Sequence, residues 1–215
     1  MRNKKKINKM FSYTNEDKKE KNFLYKDFAK SESYNTNFAG SNFTGINFLN
    51  ASMKYCNFYN CSFNFVEFEN TKLTGANFEG THFENVLFKN CKLTRAKFKN
   101  ATFKNVFFYN TSTNNINIKD GIEIITQEKL SFDIDNDLHE MAELCRENIL
   151  MRKSSPVFKH NKKSEEKYSL NKISILRLRK LFSDKKIIMG LKNANENIEK
   201  EFNTLSRLVK FIESS

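Results

Sequence analysis

The sequence has little of what usually punctuates a fold. Its 215 residues include one proline, six glycines and no tryptophan. No apolar run approaches the roughly 18 residues of a membrane-spanning helix, so none is expected. The start MRNKKKINKMFSY is basic but lacks an apolar core, which argues against a secretory signal. The chain is therefore expected in the cytoplasm, or delivered into a host cell without a signal peptide of that kind. Four cysteines with no paired spacing exclude a disulfide scaffold. A glycine-rich phosphate loop, a nucleophile elbow and a Ser/His/Asp arrangement are all missing, so neither catalysis nor a cofactor is expected. What is abundant is phenylalanine, with 22 copies in a chain of mean hydropathy −0.66 and net charge +12. Only a repetitive architecture readily explains so many large rings in so polar a chain.

The repeat is five residues long. Phe38, Phe43, Phe48, Met53, Phe58, Phe63, Phe68, Leu73, Phe78, Phe83, Phe88, Leu93, Phe98, Phe103, Phe108, Thr113 and Ile118 fall on one series, apolar everywhere but at Thr113. Two residues before each centre the side chain is small or β-branched, as in Ser41, Ala51, Cys61 and Thr81. Two residues after, it is usually Asn or Gly, the types that best tolerate left-handed backbone angles. A period of five matches neither a helix nor a strand. It matches a coil that turns a corner every five residues. A second period of twenty makes that coil four-sided. Ile46, Val66, Val86 and Val106 recur two before Phe48, Phe68, Phe88 and Phe108, and KLT recurs at 72–74 and 92–94.

These segments, NFAGS, NFTGI, LTGANFEGT and NFYNCSF among them, resemble the pentapeptide-repeat family over residues 36–120. The resemblance implies a right-handed quadrilateral β-helix, a mainly β fold. It also implies a choice of roles, because family members include acidic, DNA-shaped proteins that bind type II topoisomerases and effectors that bacteria deliver into host cells. Charge opposes the first role. Residues 36–120 carry nine bases (eight Lys and Arg95) against five acids (Glu67, Glu69, Glu79, Glu84 and Asp120), the wrong sign for mimicking DNA.

The flanks read as follows. Residues 1–20 are a basic flexible tail, and 21–35 a degenerate first coil or N-terminal cap, because Lys21 and Lys26 occupy the inward small position. Residues 121–152 hold a closing strand and an acidic helix over 136–152, with Leu138, Met141, Ala142, Cys145 and Ile149 on its apolar face. Residues 153–168 are a basic linker. In the helical region 169–215, SLNKISILRLRKLF (169–182) reads as helix or strand. Leu191, Ala194, Ile198, Phe202, Leu205, Val209 and Ile212 are spaced for one long amphipathic helix. That helix is expected either to cap the coil or to pair with a second copy as a homodimer.

Three candidate sites follow. Lys54, Lys72, Lys92 and Arg95 share one side of the coil and suit an acidic partner. Leu49, Leu87, Phe107 and Tyr109 on another side suit an apolar protein contact. The stretch 152–186, with twelve bases and three acids, suits nucleic acid or an anionic membrane. His139, Glu140, Glu143 and Cys145 lie close in sequence but without the spacing of a zinc motif, and His82 with Glu84 reads as a solvated pair. Cys56, Cys61 and Cys91 occupy inward positions and read as packing residues, as does Cys145 on its helix. Taken together, the expected function is a non-enzymatic scaffold that binds a protein partner.

Overall fold

The computed structural model describes residues 9–114, 116, 120–160 and 168–215. Ile118, the first eight residues of the expected tail and residues 161–167 of the expected linker lie outside the described residues. The chain divides into two compact units, Met1–Ile125 and Thr126–Ser215.

The first unit is a parallel β-solenoid of four sides. Its strands are β1 (Asn22–Leu24), β2 (Glu32–Tyr34), β3 (Asn42–Thr44), β4 (Ser52–Lys54), β5 (Ser62–Asn64), β6 (Glu67–Glu69), β7 (His82–Glu84), β8 (Leu87–Lys89), β9 (Thr102–Lys104), β10 (Val106–Tyr109) and β11 (Ile122–Ile125). One side is the sheet β1-β3-β5-β7-β9, and another is β6-β8-β10-β11. The third is β2-β4, continued by bridges from Ser52 to Lys72 and from Lys72 to Lys92. The fourth is a ladder of bridges linking Asp17, Asn37, Asn57, Asn77 and Lys97. Phe43 lies opposite Phe63 and Phe63 opposite Phe83, so each coil takes twenty residues. Large rings therefore stack on their own kind: Phe43–Phe63 and Phe48–Phe68 are 4.8 Å apart, and Phe58–Phe78 5.0 Å. The core is this column of rings.

Corners and seams show why the five-residue pattern works. Every fifth residue from Asn15 to Asn110 has a positive φ, and most are Asn or Gly. The small inward residue does more than fit. Thr71 Oγ1 donates to the Phe48 carbonyl at 2.9 Å, and Cys61 Sγ and Cys91 Sγ donate to the Phe38 and Phe68 carbonyls at 3.0 and 3.2 Å. These bonds satisfy carbonyls in the interior of the coil. Burial pushes the thiols of Cys56, Cys61, Cys91 and Cys145 up to about 12. All four are free. Native protein at pH 8 should therefore resist iodoacetamide for many minutes, and all four thiols should react at once in guanidinium. Rapid native labelling at Cys61 would contradict the seam bonds.

The solenoid begins earlier than the sequence suggests. Thr14 bridges to Tyr34, Asp17 bridges to Asn37, and Lys18 N donates to the Asn37 carbonyl at 2.7 Å. Residues 9–20 are thus coil, not tail. Phe11 stacks on Phe28 at 4.4 Å and covers the ring column. Lys21 and Lys26 are tolerated because both remain exposed in this first turn. A terminal coil has a neighbour on one side only, so a long cationic side chain there can reach water.

In the second unit, α1 (Asn136–Glu147) and α2 (Ile149–Lys153) replace the single helix expected over 136–152. Asn148 breaks it: its backbone is extended, and its side chain accepts from Leu150 N and Met151 N. Asp135 caps α1 by accepting from Leu138 N at 2.8 Å. β12 (Phe158–His160) pairs antiparallel with β13 (Tyr168–Leu170). The stretch 169–182 proves to be the end of β13, then α3 (Lys172–Leu178) capped by Asn171.

The stripe from Leu191 to Ile212 is not one helix. It is α4 (Asp184–Asn197), a non-helical turn, and α5 (Leu205–Glu213), which folds back on α4. Leu191, Ala194, Phe202, Leu205, Val209 and Ile212 are buried, and Ile198 is half-buried at the end of α4. Gly190 sits inside α4 where α5 crosses it. Asn193 Nδ2 donates to the Phe211 carbonyl at 3.0 Å and ties α4 to the end of α5.

Candidate functional site

The side of the solenoid built on Ser33, Met53, Leu73 and Leu93 carries the most exposed cationic residues in regular array. Parallel register stacks its outward positions in columns. Glu32, Ser52, Lys72 and Lys92 form one, through consecutive bridges. Tyr34 and Lys54 face each other in the next. Strand spacing sets Lys72 and Lys92 about 4.8 Å apart at the backbone, like charge over like. Both are exposed, as are Lys54 and Arg95, and among the described residues no ion pair engages any of the four.

The corner of this side departs from the Asn/Gly rule. Tyr55 and Arg95 hold φ of 58° and 59°, a region costly for bulky side chains. Between them Gly75 leaves the space that the Tyr55 ring occupies; any Cβ there would collide with the ring. Arg95 Nη2 reaches back two coils to donate to Tyr55 Oη at 3.3 Å. The Tyr34 ring meets Tyr55 edge-on, with centroids 5.5 Å apart. A cavity of about 430 Å³ opens beside Arg95, lined by Lys92, Thr94, Ser112 and Asn114 as well. Lys92 and Arg95 thus meet in one concave mouth with two hydroxyls, whereas Lys54 and Lys72 lie on the flat side outside it. The sequence reading found the four cations and missed Tyr34, Tyr55, Ser112 and Asn114. The signal for Tyr55 is present: a tyrosine where the pattern asks for Asn or Gly.

The apolar contact side expected from Leu49, Leu87, Phe107 and Tyr109 is corrected. Leu87 and Phe107 are buried at 5% and 2% exposure, paired across β8 and β10, and Leu49 and Tyr109 are half-buried. Nor do the four form a strip. In the twenty-residue register Glu69 and Lys89 stand between Leu49 and Tyr109, and they form an ion pair at 2.7 Å.

The remaining polar residues pair locally. His82 Nδ1 lies 2.6 Å from Thr102 Oγ1, and Glu84 pairs with Lys104 at 2.6 Å. Glu143 meets Arg146 at 3.0 Å and His139 at 3.9 Å, while Cys145 turns inward to the Leu191 carbonyl. Among the described residues no three metal-ligating side chains converge. Within the basic stretch 152–186, Arg179 binds both oxygens of Asp184 at 2.9 and 2.7 Å, and that guanidinium holds the Asp184 carboxyl below its ordinary value. Lys172 donates to the Phe132 carbonyl, and Arg177 is buried. Among the described residues no helix is long and apolar enough to cross a membrane.

Comparison with known proteins matches residues 61–122 to the family described as pentapeptide repeat region, and residues 34–64 to pentapeptide repeats of eight copies. No curated protein matches the chain. Among solved structures, the pentapeptide repeat protein Rfr23 of the cyanobacterium Cyanothece 51142 is 15% identical, with a TM-score of 0.33 over 53% of this chain and 86% of that one. The pentapeptide repeat protein alr5209 of Nostoc Pcc 7120 is 18% identical, with a TM-score of 0.33 over 46% and 84%. QnrB1, a plasmid-mediated fluoroquinolone resistance protein, is 15% identical, with a TM-score of 0.22 over 58% and 97%.

Proposed function

Residues 34–122 belong to the pentapeptide-repeat family, and from that premise we propose that the chain is a non-enzymatic scaffold whose solenoid binds an acidic protein partner. The binding side is the one bearing Lys54, Lys72, Lys92 and Arg95, with Tyr34 and Tyr55 as its aromatic anchors. The observation that carries this reading is the corner at Tyr55 and Arg95. A repeat that could place Asn or Gly there instead holds two bulky side chains at left-handed angles. Tyr25 and Phe65 hold similar angles at other corners, so what supports a role for this one is the Arg95–Tyr55 hydrogen bond beside the column of Lys72 and Lys92. Tyrosine and arginine are also the types that most often anchor interfaces. A rigid solenoid side loses little entropy on binding, which favours recognition of a folded surface.

The experiment is site-resolved crosslinking in the native host. A photo-crosslinking residue at Thr74, on the proposed side, should capture a defined partner. The same residue at Thr102, on the side built from β1-β3-β5-β7-β9, should not. Lys72→Glu with Lys92→Glu should abolish the Thr74 adduct and weaken the purified complex at least tenfold, because two attractive charges become repulsive. Equal capture from both sides, or capture indifferent to the charge reversal, overturns the proposal. Gyrase serves as a named negative: the net basic repeats should give no relief of quinolone inhibition at stoichiometric protein.

A further inference from the structure

The second unit carries a groove that the sequence reading did not anticipate. It runs between α1 and α4 and encloses about 520 Å³. Its floor is apolar: Met141, Leu144, Ile188 and Met189. Leu144 is 58% and Met189 46% exposed, although both flank helices whose opposite faces are buried. Its rim is acidic, with Asp135 at the N-cap of α1, Asp137 and Glu140 on α1 and Asp184 at the start of α4, against the base Lys185. Asp184 is committed to Arg179 and Asp135 caps α1, so Asp137 and Glu140 set the sign of the rim.

We infer that this groove docks a basic amphipathic helix from a partner protein. Three features fix that chemistry. The lining residues recur at helical spacing on both walls, 137, 140, 141 and 144 on α1 and 184, 185, 188 and 189 on α4. That spacing sets side chains from successive turns of each helix along the groove, so its lining runs lengthwise between α1 and α4. Methionine and leucine floors adapt to apolar side chains arriving at i, i+3, i+4 and i+7. The acidic rim complements Lys and Arg flanking such a stripe and rejects an acidic helix. The groove lies wholly within residues 135–189, so it does not depend on the solenoid side proposed above.

The test uses the full chain and two fluorescein-labelled 16-residue helical peptides. One contains leucine at i, i+3, i+4 and i+7 with lysine elsewhere, and the other replaces every lysine by glutamate. Anisotropy should show the lysine peptide binding at least tenfold more tightly. Leu144→Lys with Met189→Lys should weaken it at least tenfold, and the neutral pair Leu144→Ser with Met189→Ser at least threefold, with unchanged circular dichroism. Glu196→Gln with Glu199→Gln, which shifts net charge equally at exposed positions away from the groove, should leave affinity within twofold. Equal binding of both peptides, or equal loss in the Glu196/Glu199 control, reduces the effect to general charge attraction and overturns the inference. Light scattering that shows a dimer dissociated by Leu144→Lys with Met189→Lys would also overturn it, by making a second copy of this chain the occupant.

Discussion

Phe78→Asp should unfold the solenoid, whereas Glu79→Lys, one residue along, should leave its melting temperature almost unchanged. The Phe78 ring stacks on Phe58 and Phe98 at 5.0 Å each and meets Phe63 edge-on at 6.0 Å. It is fully buried. Removing such a ring costs about 3–5 kcal/mol, and an unpaired carboxylate on the axis adds several more. That total is comparable with the whole stability of an ordinary domain, about 5–15 kcal/mol. Glu79 differs in kind. Its carbonyl accepts from Asn60 N and its amide donates to Asn77 Oδ1, so its backbone holds the ladder while its side chain is only half-buried. Charge reversal there should stay within about 0.5 kcal/mol. Thermal unfolding followed by far-ultraviolet circular dichroism decides the matter. Equal melting temperatures for the two variants would refute the inward and outward register of the entire coil.

Gly190→Leu should dismantle the α4–α5 hairpin and leave the solenoid standing. A Cβ on Gly190 would lie 2.6 Å from Ile212 Cα and 2.8 Å from Ile212 Cβ, closer than real side chains approach. In an open helix, Gly→Ala gains about 1 kcal/mol from helix propensity. Here the obstacle is the backbone of α5, which cannot rotate away, so even Gly190→Ala should be net destabilising. Leucine forces the helices apart and exposes Leu191, Ala194, Leu205 and Val209, a loss of at least ~3 kcal/mol on the usual scale of core disruption. Helical signal at 222 nm should fall, while the slow hydrogen exchange of the Phe-column amides persists. A melting temperature and helical signal equal to wild type would show that α4 and α5 do not cross at Gly190.

Both experiments bear on what the sequence could reveal. Five-residue spacing fixed the side of each residue from Phe38 to Phe108, because every coil repeats the same local problem and adjacent coils share one register. Inward rings, corner residues at positive φ and the stacking of Lys72 on Lys92 all follow from counting in fives and twenties. Arg95 was found the same way, by its position in the repeat. Its hydrogen bond to Tyr55 was not, because that bond spans forty residues and depends on the space left by Gly75.

Outside the clear repeat, local pattern was a weaker guide. Leu191, Ile198, Phe202 and Ile212 satisfy helical spacing equally well on a straight helix and on a hairpin, since the seven residues from Ile198 to Thr204 keep the phase without being helical. Long-range contacts such as Gly190 with Ile212 and Asn193 with Phe211 distinguish the two, and no local window contains either pair. Lys21 and Lys26 misled for the converse reason: they break the inward rule, yet an end coil leaves them free to reach water. The α1–α4 groove was invisible because its apolar floor is split between helices more than forty residues apart. Periodic local interactions thus determined the solenoid. Long-range packing decided the helical unit, and with it where apolar and acidic side chains come together.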